Sequence, residues 1–198
     1  MNSKPLTLHK ENYFPSQWEF LTNPKKARIK AYVGGFGSGK TTSLLATTMI
    51  NLINKKNKDG KSNGLILYPT YGLADSVFVE PFRELLERNG IAYTYNISAH
   101  KFKTSYGNIQ IYQTRYPQRI VGASYTYCGI DELDIETFKI AETTVQKALG
   151  RLRGCDDAEL YITTTPEGFG YTWHLMVQEY NDSKLLVHGK TTDNHYLP

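Results

Sequence analysis

The sequence is poor in cysteine, in long apolar runs and in net charge, and each shortage closes a class of function. Two cysteines, Cys128 and Cys155, are too few for a disulfide framework or a Cys-based zinc site. Cys128 lies inside an apolar stretch and is expected in the core. The five histidines (His9, His100, His174, His188 and His195) show no metal-ligand spacing. No apolar run approaches the ~20 residues that span a bilayer, and the opening "MNSKPLTLHKENYF" has no apolar signal-peptide core. An intracellular protein without a membrane partner is expected. The net charge is only +4, with a pI near 8.9. It permits a nucleic-acid partner without requiring one, because the excess reads as small and spread along the chain. There is no internal repeat, low-complexity tract or interdomain linker, and 198 residues suit a single domain.

What is present begins with "GGFGSGKTT", residues 34–42, which fits the phosphate-loop pattern GxxxxGK[ST] at Gly34, Gly39, Lys40 and Thr41. Gly34, Gly35, Gly37 and Gly39 let the backbone wrap with its N–H groups inward, which makes an anion nest around Ser38. The segment from Thr41 and Thr42 onward reads as a helix whose N-terminal N–H groups and dipole add to the pull on phosphate. Lys40 reaches the β and γ phosphates, and the Thr41 hydroxyl is placed to hold Mg²⁺. ATP and Mg²⁺ are the expected ligands.

Strand-like and helix-like segments alternate, which argues for a layered α/β fold. Strands are predicted at 27–33, 64–69, 124–130, 158–164 and 185–189, and helices at 40–54, 76–89, 134–149 and 170–180. The helix at 134 is expected to open on Asp134 as N-cap and close on Gly150, with Phe138, Ala141, Val145 and Ala148 on one apolar face. "IAYTYN", "KFKTS" and "NIQIYQT" read as antiparallel additions at one sheet edge, joined around Tyr106 and Gly107. A phosphate-loop helix runs back from the carboxyl edge of the sheet. The basic loop that follows it (Lys55, Lys56, Lys58, Lys61) is therefore expected at the opposite edge, as a solvated connector or a contact for nucleic-acid phosphates.

Hydrolysis needs a carboxylate to orient Mg²⁺ and a base for the attacking water. "YTYCGIDELD" offers both: a buried strand delivering Asp131 to the metal's water shell, and Glu132 one residue later. Upstream, Gln17 in "YFPSQWEFL" has the amide that reads adenine N6 and N7, with Tyr13, Phe14 or Trp18 as a stacking face or, equally, as packing for an amphipathic helix. Downstream, Thr163, Thr164 and Thr165 at the end of the next strand suit a sensor of hydrolysis, with a capping or turn role before Pro166 and Gly168 as the competing reading.

Together these segments resemble the ATPase domain of the large terminase subunit of tailed bacteriophages, the motor that pumps DNA into the prohead. "FPSQWEFL" resembles its adenine motif, "GGFGSGKTT" and "YCGIDELD" its Walker A and Walker B motifs, and "ITTTPEGFGYTW" its coupling motif. The resemblance implies a phosphate-loop NTPase fold of the catalytic-glutamate (ASCE) type, with a mainly parallel central sheet flanked by helices. It implies Asp131 as the metal carboxylate, Glu132 as the catalytic base and Thr163 to Pro166 as the coupling segment. Implied partners are double-stranded DNA, a portal protein, a small terminase subunit and further copies in a ring, in the host cytoplasm. Some terminases carry an arginine within the phosphate loop, whereas this chain has Phe36 and Ser38. In other branches a neighbouring subunit supplies the cation from just before the Walker B strand, which corresponds here to Arg119, with Arg151 and Arg153 as alternatives. Within 1–198, residues 1–25 are expected to form the adenine-side segment, 26–170 the core and 171–198 the start of a lid or linker. No RNase H-like carboxylate cluster follows, so no nuclease domain is expected in this chain. A helicase-like or other DNA-stimulated ATPase, or a nucleotide-gated module that binds DNA or portal and barely hydrolyses, are the rival readings.

Overall fold

A computed structural model describes residues 8–194. His195 and the outer ends of the expected 1–25 and 171–198 segments lie outside the described residues. The architecture is one eight-stranded sheet in the order β3-β4-β5-β2-β6-β7-β1-β8. It comprises β1 (Ile29–Gly34), β2 (Ser62–Tyr68), β3 (Tyr93–Asn96), β4 (Lys101–Thr104), β5 (Gly107–Gln113), β6 (Tyr127–Asp131), β7 (Glu159–Thr164) and β8 (Lys184–Gly189). From β5 across to β8 every pairing is parallel. Of the three strands added at the edge, β4 alone runs against the rest, because it pairs antiparallel with both β3 and β5. The stretch expected to start a lid or linker contributes β8, which pairs with β1 along its whole length.

The central strands alternate sides to feed two cores. Ile66 and Tyr68 of β2, with Tyr32, Tyr127 and Tyr161, face α2 (Lys40–Asn54), α4 (Glu80–Arg88) and α1 (Pro15–Thr22). Leu65 and Leu67, with Ala31, Cys128, Ile130 and Ile162, face α5 (Phe138–Arg151). Fully buried parallel strands can be apolar on both faces, which is why "GLILY" and "YCGI" carry no alternation of polarity. Cys128 is buried as expected.

Helix boundaries differ from expectation where side chains found other partners. The 76–89 helix begins earlier, at α3 (Tyr71–Ala74), because the Thr70 hydroxyl caps the Leu73 N–H at 3.2 Å. It passes through a π-helical stretch, Asp75–Val79, before α4. Asp134 does not cap α5, which starts at Phe138 behind Thr137; its Oδ1 instead accepts the Thr172 N–H at 2.9 Å. Of the expected apolar face of α5, Ala141, Val145 and Ala148 are buried and Phe138 stays 47 % exposed. Gly150 lies inside the helix. The predicted 170–180 helix is a short turn, α6 (Tyr171–Trp173), continued by a π-helical stretch, His174–Gln178.

Candidate nucleotide site

β1 ends at Gly34 and α2 begins at Lys40, so the intervening loop turns at the carboxyl edge of the sheet. Gly37 (φ 73°) and Gly39 (φ 88°) take left-handed backbone that L side chains resist. A Cβ at Gly34 would strike the Ser38 side chain, and one at Gly39 would strike the Gln17 amide. The loop thus packs too closely on its own serine and on Gln17 to admit side chains at these positions.

Four consecutive loop carbonyls are each held by a donor from outside. Thr191 Oγ1 donates to Phe36 O at 2.7 Å, Asn194 Nδ2 to Gly37 O at 2.7 Å, the Tyr32 hydroxyl to Ser38 O at 2.8 Å, and Gln17 Nε2 to Gly39 O at 3.1 Å. With its carbonyls turned onto these donors, the loop keeps N–H groups for an anion, and the first turn of α2 adds its own. The buried Ser38 Oγ has no hydrogen-bond partner of its own. Lys40 Nζ folds back onto Gly34 O and Gly35 O at 3.0 and 3.1 Å.

Gln17 sits under the loop, 3 % exposed. Its Oε1 accepts the Phe14 N–H at 2.9 Å while its Nε2 holds Gly39. One lone pair and one N–H of the amide are left by these bonds. Tyr13 and Trp18 lie with ring centroids 6.4 Å apart.

The acidic pair arrives on β6, whose residues are all buried. Glu132 leaves that strand with φ 48° and ψ 47°, a left-handed conformation uncommon for a residue with a side chain and a form of strain that clusters at functional sites. Burial pushes the Asp131 carboxyl up to about 6; the Glu132 charge adds to this, and the Thr163 hydroxyl opposes it. Burial, and after it the nearby Asp131 charge, pushes the Tyr68 hydroxyl well above the usual tyrosine range, and that hydroxyl has no hydrogen-bond partner. Across the β6–β7 pairing Asp131 faces Thr163.

The three threonines each bind a different residue of the "DELD" turn. Thr163 Oγ1 donates to Asp131 Oδ1 at 2.6 Å, Thr164 Oγ1 accepts the Asp134 N–H at 3.2 Å, and Thr165 holds both oxygens of Glu132, through N–H at 2.9 Å and Oγ1 at 3.1 Å. Glu132 Oε1 is also 3.8 Å from Lys40 Nζ. The structure therefore brings together Lys40, Asp131, Glu132, Thr163, Thr164 and Thr165, with Thr41 and Thr42 in the first turn of α2. The donor set fits Mg²⁺ and a nucleotide: a hydroxyl at Thr41, a buried carboxylate at Asp131 and an anion cradle between. Among the described residues no three His, Cys, Asp or Glu side chains gather to hold a metal by themselves.

Arg119 is not in this cluster. It ends a 3₁₀ turn, Pro117–Arg119, is exposed, and lays its guanidinium 5.1 Å from the Tyr116 ring centre. Arg153 donates to Ser124 Oγ at 3.2 Å, and Arg151 closes α5. The basic loop after α2 lies at the far edge, where Lys55 pairs with Asp157 at 2.9 Å, Lys56 donates to Leu52 O and Lys61 to Ser105 O. Tyr32, Thr191 and Asn194 were missed by sequence reasoning. Tyr32 looks like any strand aromatic, and "TTDN" lies some 150 residues from the loop it braces, so only the β1–β8 pairing reveals the connection.

Fold and site define a phosphate-loop nucleotide-binding domain of the α/β class. The profile described as "Terminase large subunit, T4likevirus-type, N-terminal" matches residues 31–193, and the chain belongs to that family. The large terminase of a thermophilic bacteriophage superposes with TM-score 0.78 at 18% identity, covering 94% of this chain and 48% of that one. The same phage protein in complex with ATP-gamma-S superposes with TM-score 0.75 at 16% identity, covering 94% and 47%. The Thermus phage P74-26 large terminase ATPase domain gives TM-score 0.70 at 16% identity, covering 89% and 81%. The chain spans about half the length of the thermophilic-phage terminase. No curated protein matches it by sequence.

Proposed function

We propose that the domain is a Mg²⁺-dependent ATP hydrolase that powers translocation of double-stranded viral DNA into a prohead in the host cytoplasm. It would act as one of several copies in a ring, with a portal protein and a small terminase subunit as partners. Family membership and the fold shared with ADP- and ATP-gamma-S-bound large terminase support the reading. The observation that carries it is the placement of the Glu132 carboxylate 3.8 Å from Lys40 Nζ. At that position the carboxylate would serve as the base, at the end of the cradle where the terminal phosphate would lie.

In this reading Lys40 meets the developing charge on the transferred phosphoryl group, and Glu132 orients and deprotonates the attacking water. Thr41 and Asp131 would hold Mg²⁺, which when bound neutralises charge on the phosphate oxygens. Gln17 offers adenine the lone pair and N–H its present bonds leave over. Thr163 to Thr165 would relay the state of the acids, since Thr165 bonds both Glu132 oxygens and Asp134 is tied to the next segment at Thr172. Arg119 would complete a neighbour's site.

The test is a pair of variants. Lys40→Ala is expected to abolish turnover and greatly weaken ATP binding. Glu132→Gln keeps the shape and the metal site, so ATP still binds while kcat falls ~10²-fold or more, the usual range for losing a general base. Normal turnover by Glu132→Gln would overturn the assignment. Unwinding of a forked duplex by the chain would instead favour the helicase-like reading.

A further inference from the structure

The core on the α5 side of the sheet draws no buried residue from β3, β4 or β5; β5 reaches it through the half-buried Tyr112. Phe102, Ile109 and Ile111 point to the opposite core, so Thr94, Asn96, Lys101, Lys103, Asn108 and Gln110 stand on the other face, outside the α5-side core. Cross-strand pairing sets Thr94 beside Lys103 and Asn96 beside Lys101, then Lys101 beside Gln110 and Lys103 beside Asn108. Where this face meets the loop before β6 it deepens into a trough of about 420 Å³ floored by Asn108, Gln110 and Tyr112 and flanked by Lys61, Lys101 and Tyr125. No acidic side chain lines it.

The charge distribution behind this face corrects the reading of the positive excess as spread along the chain. Residues 88–130 contain no aspartate or glutamate, yet hold Arg88, Lys101, Lys103, Arg115 and Arg119, more positive charge than the net +4 of the whole chain. Arg88 pairs with Glu84. Some lysines and arginines elsewhere meet acids, as in Lys30–Glu159, Lys55–Asp157, Arg83–Glu80 and Lys139–Glu142; what sets residues 88–130 apart is that the stretch itself holds no acid. Among the described residues no carboxylate lies within ion-pair distance of Lys101, Lys103, Arg115 or Arg119.

We propose that this face of β3, β4 and β5 docks the sugar-phosphate backbone of double-stranded DNA. This inference rests on the translocase reading above and adds the surface that the polymer touches. Lys, Thr, Asn, Gln and Tyr side chains are the donors that contact phosphate and sugar. Lys101 and Lys103 project from the same side of one strand ~7 Å apart, two residues along it, and so address successive anions of a regular row. An acidic protein surface offers no such row. The face is a sheet surface with no helix upon it to enter a groove, so contact is independent of base sequence. Single strands are held on exposed stacking aromatics, whereas the aromatic on this face, Tyr112, is half-buried at the trough floor.

The experiment measures binding of the full chain to a short duplex of arbitrary sequence as salt is varied, in wild type, Lys101→Ala/Lys103→Ala and a control, Lys25→Ala/Lys139→Ala. Neutralising a phosphate contributes about 0.9 to the slope of log affinity against log salt for B-DNA. The Lys101/Lys103 variant is expected to bind roughly tenfold or more weakly near physiological salt, with a slope shallower by about 2. The control is expected to match wild type, and Lys101→Gln/Lys103→Gln to behave as the alanine pair does. A wild-type slope in the Lys101/Lys103 variants overturns the proposal, as does an equal loss in the control. So does tighter binding of a single strand, or displacement of the duplex by poly-glutamate as readily as by duplex competitor. ATP binding and DNA-free turnover, read on the same samples, are expected to be unchanged in the Lys101/Lys103 variants. Absent turnover in wild type at concentrations where copies meet would count against the hydrolase reading, whereas an unaltered salt slope in the Lys101/Lys103 variants beside measurable turnover would count against the docking face alone.

Discussion

At the scale of single residues, the candidate site depends on groups that restrain its two acids. Asp131 is a carboxylate in a nearly dry position, kept there by a 2.6 Å bond from Thr163. Thr163→Val preserves shape and removes the donor. A hydrogen bond to a charged group is worth about 1.5–3 kcal/mol, so the variant is expected to lose about that much stability at neutral pH, read by urea denaturation. Thr165→Val leaves the backbone N–H on Glu132 but removes the hydroxyl contact. Its kcat is expected to fall ~10-fold, in line with losing one such bond, while ATP affinity stays at the wild-type value. An equal loss of affinity would mean that Thr165 shapes the pocket rather than the base. Lys40, Asp131 and Glu132 were legible because each chemistry allows few residue types at a set distance from a strand end. Thr191 and Asn194 were not, since a hydroxyl or amide donor has no spacing of its own.

At the scale of elements, a buried ion pair fastens two neighbouring interior strands to the helices. Lys30 of β1 and Glu159 of β7 are 3.3 Å apart, both almost fully buried. Lys30 also donates to Phe20 O of α1 at 3.0 Å, and Asn51 of α2 donates to Glu159 at 2.8 Å. Removing one member of a buried pair strands the other, at about 3–5 kcal/mol, while replacing both with apolar groups is often neutral. Lys30→Met is therefore expected to destabilise the fold by that amount, and Lys30→Met/Glu159→Leu to recover most of it; chemical denaturation of the two compares them directly. The β4–β5 connection depends on Gly107, at φ 150° with the Ser62 backbone packed where a Cβ would go. Gly107→Ala is expected to lower the melting temperature by several degrees, given that ~1 kcal/mol moves a domain of this size by about 2–4 °C. Element types were largely readable from the sequence, and α2 was placed to the residue. The direction of β5 was not, because alternation of polar and apolar residues reports which side a strand buries and not which way its neighbour runs.

At the scale of the whole molecule, the question is whether one chain makes a complete site. Arg119 is exposed and has no carboxylate partner among the described residues, the state expected of a residue whose target lies on another copy. An arginine finger contributes on the order of 10³ to 10⁵ in rate. The isolated domain is accordingly expected to bind ATP yet hydrolyse it slowly when dilute, with specific activity rising with concentration. Arg119→Ala chains mixed with Glu132→Gln chains, each inactive alone, are expected to regain turnover, because a mixed interface pairs an intact finger with an intact base. Arg119→Ala chains with wild-type turnover under assembled conditions would remove the assignment and direct attention to Arg151 and Arg153.

The sequence by itself determined the parts of the candidate site: a glycine-rich turn before a helix, two acids at the end of an apolar strand, and threonines closing the next. Those features are local, set by φ angles, hydrogen-bonding groups and strand ends within a few residues of one another. Only the tertiary structure decided what spans distance. It showed that each threonine holds a different part of the acidic turn, that β8 brings Thr191 and Asn194 back onto the phosphate loop, and that the unpaired cations of residues 88–130 include Lys101 and Lys103 on one face. Strand order is settled by which faces can be buried together, a condition on the whole chain that no short window contains.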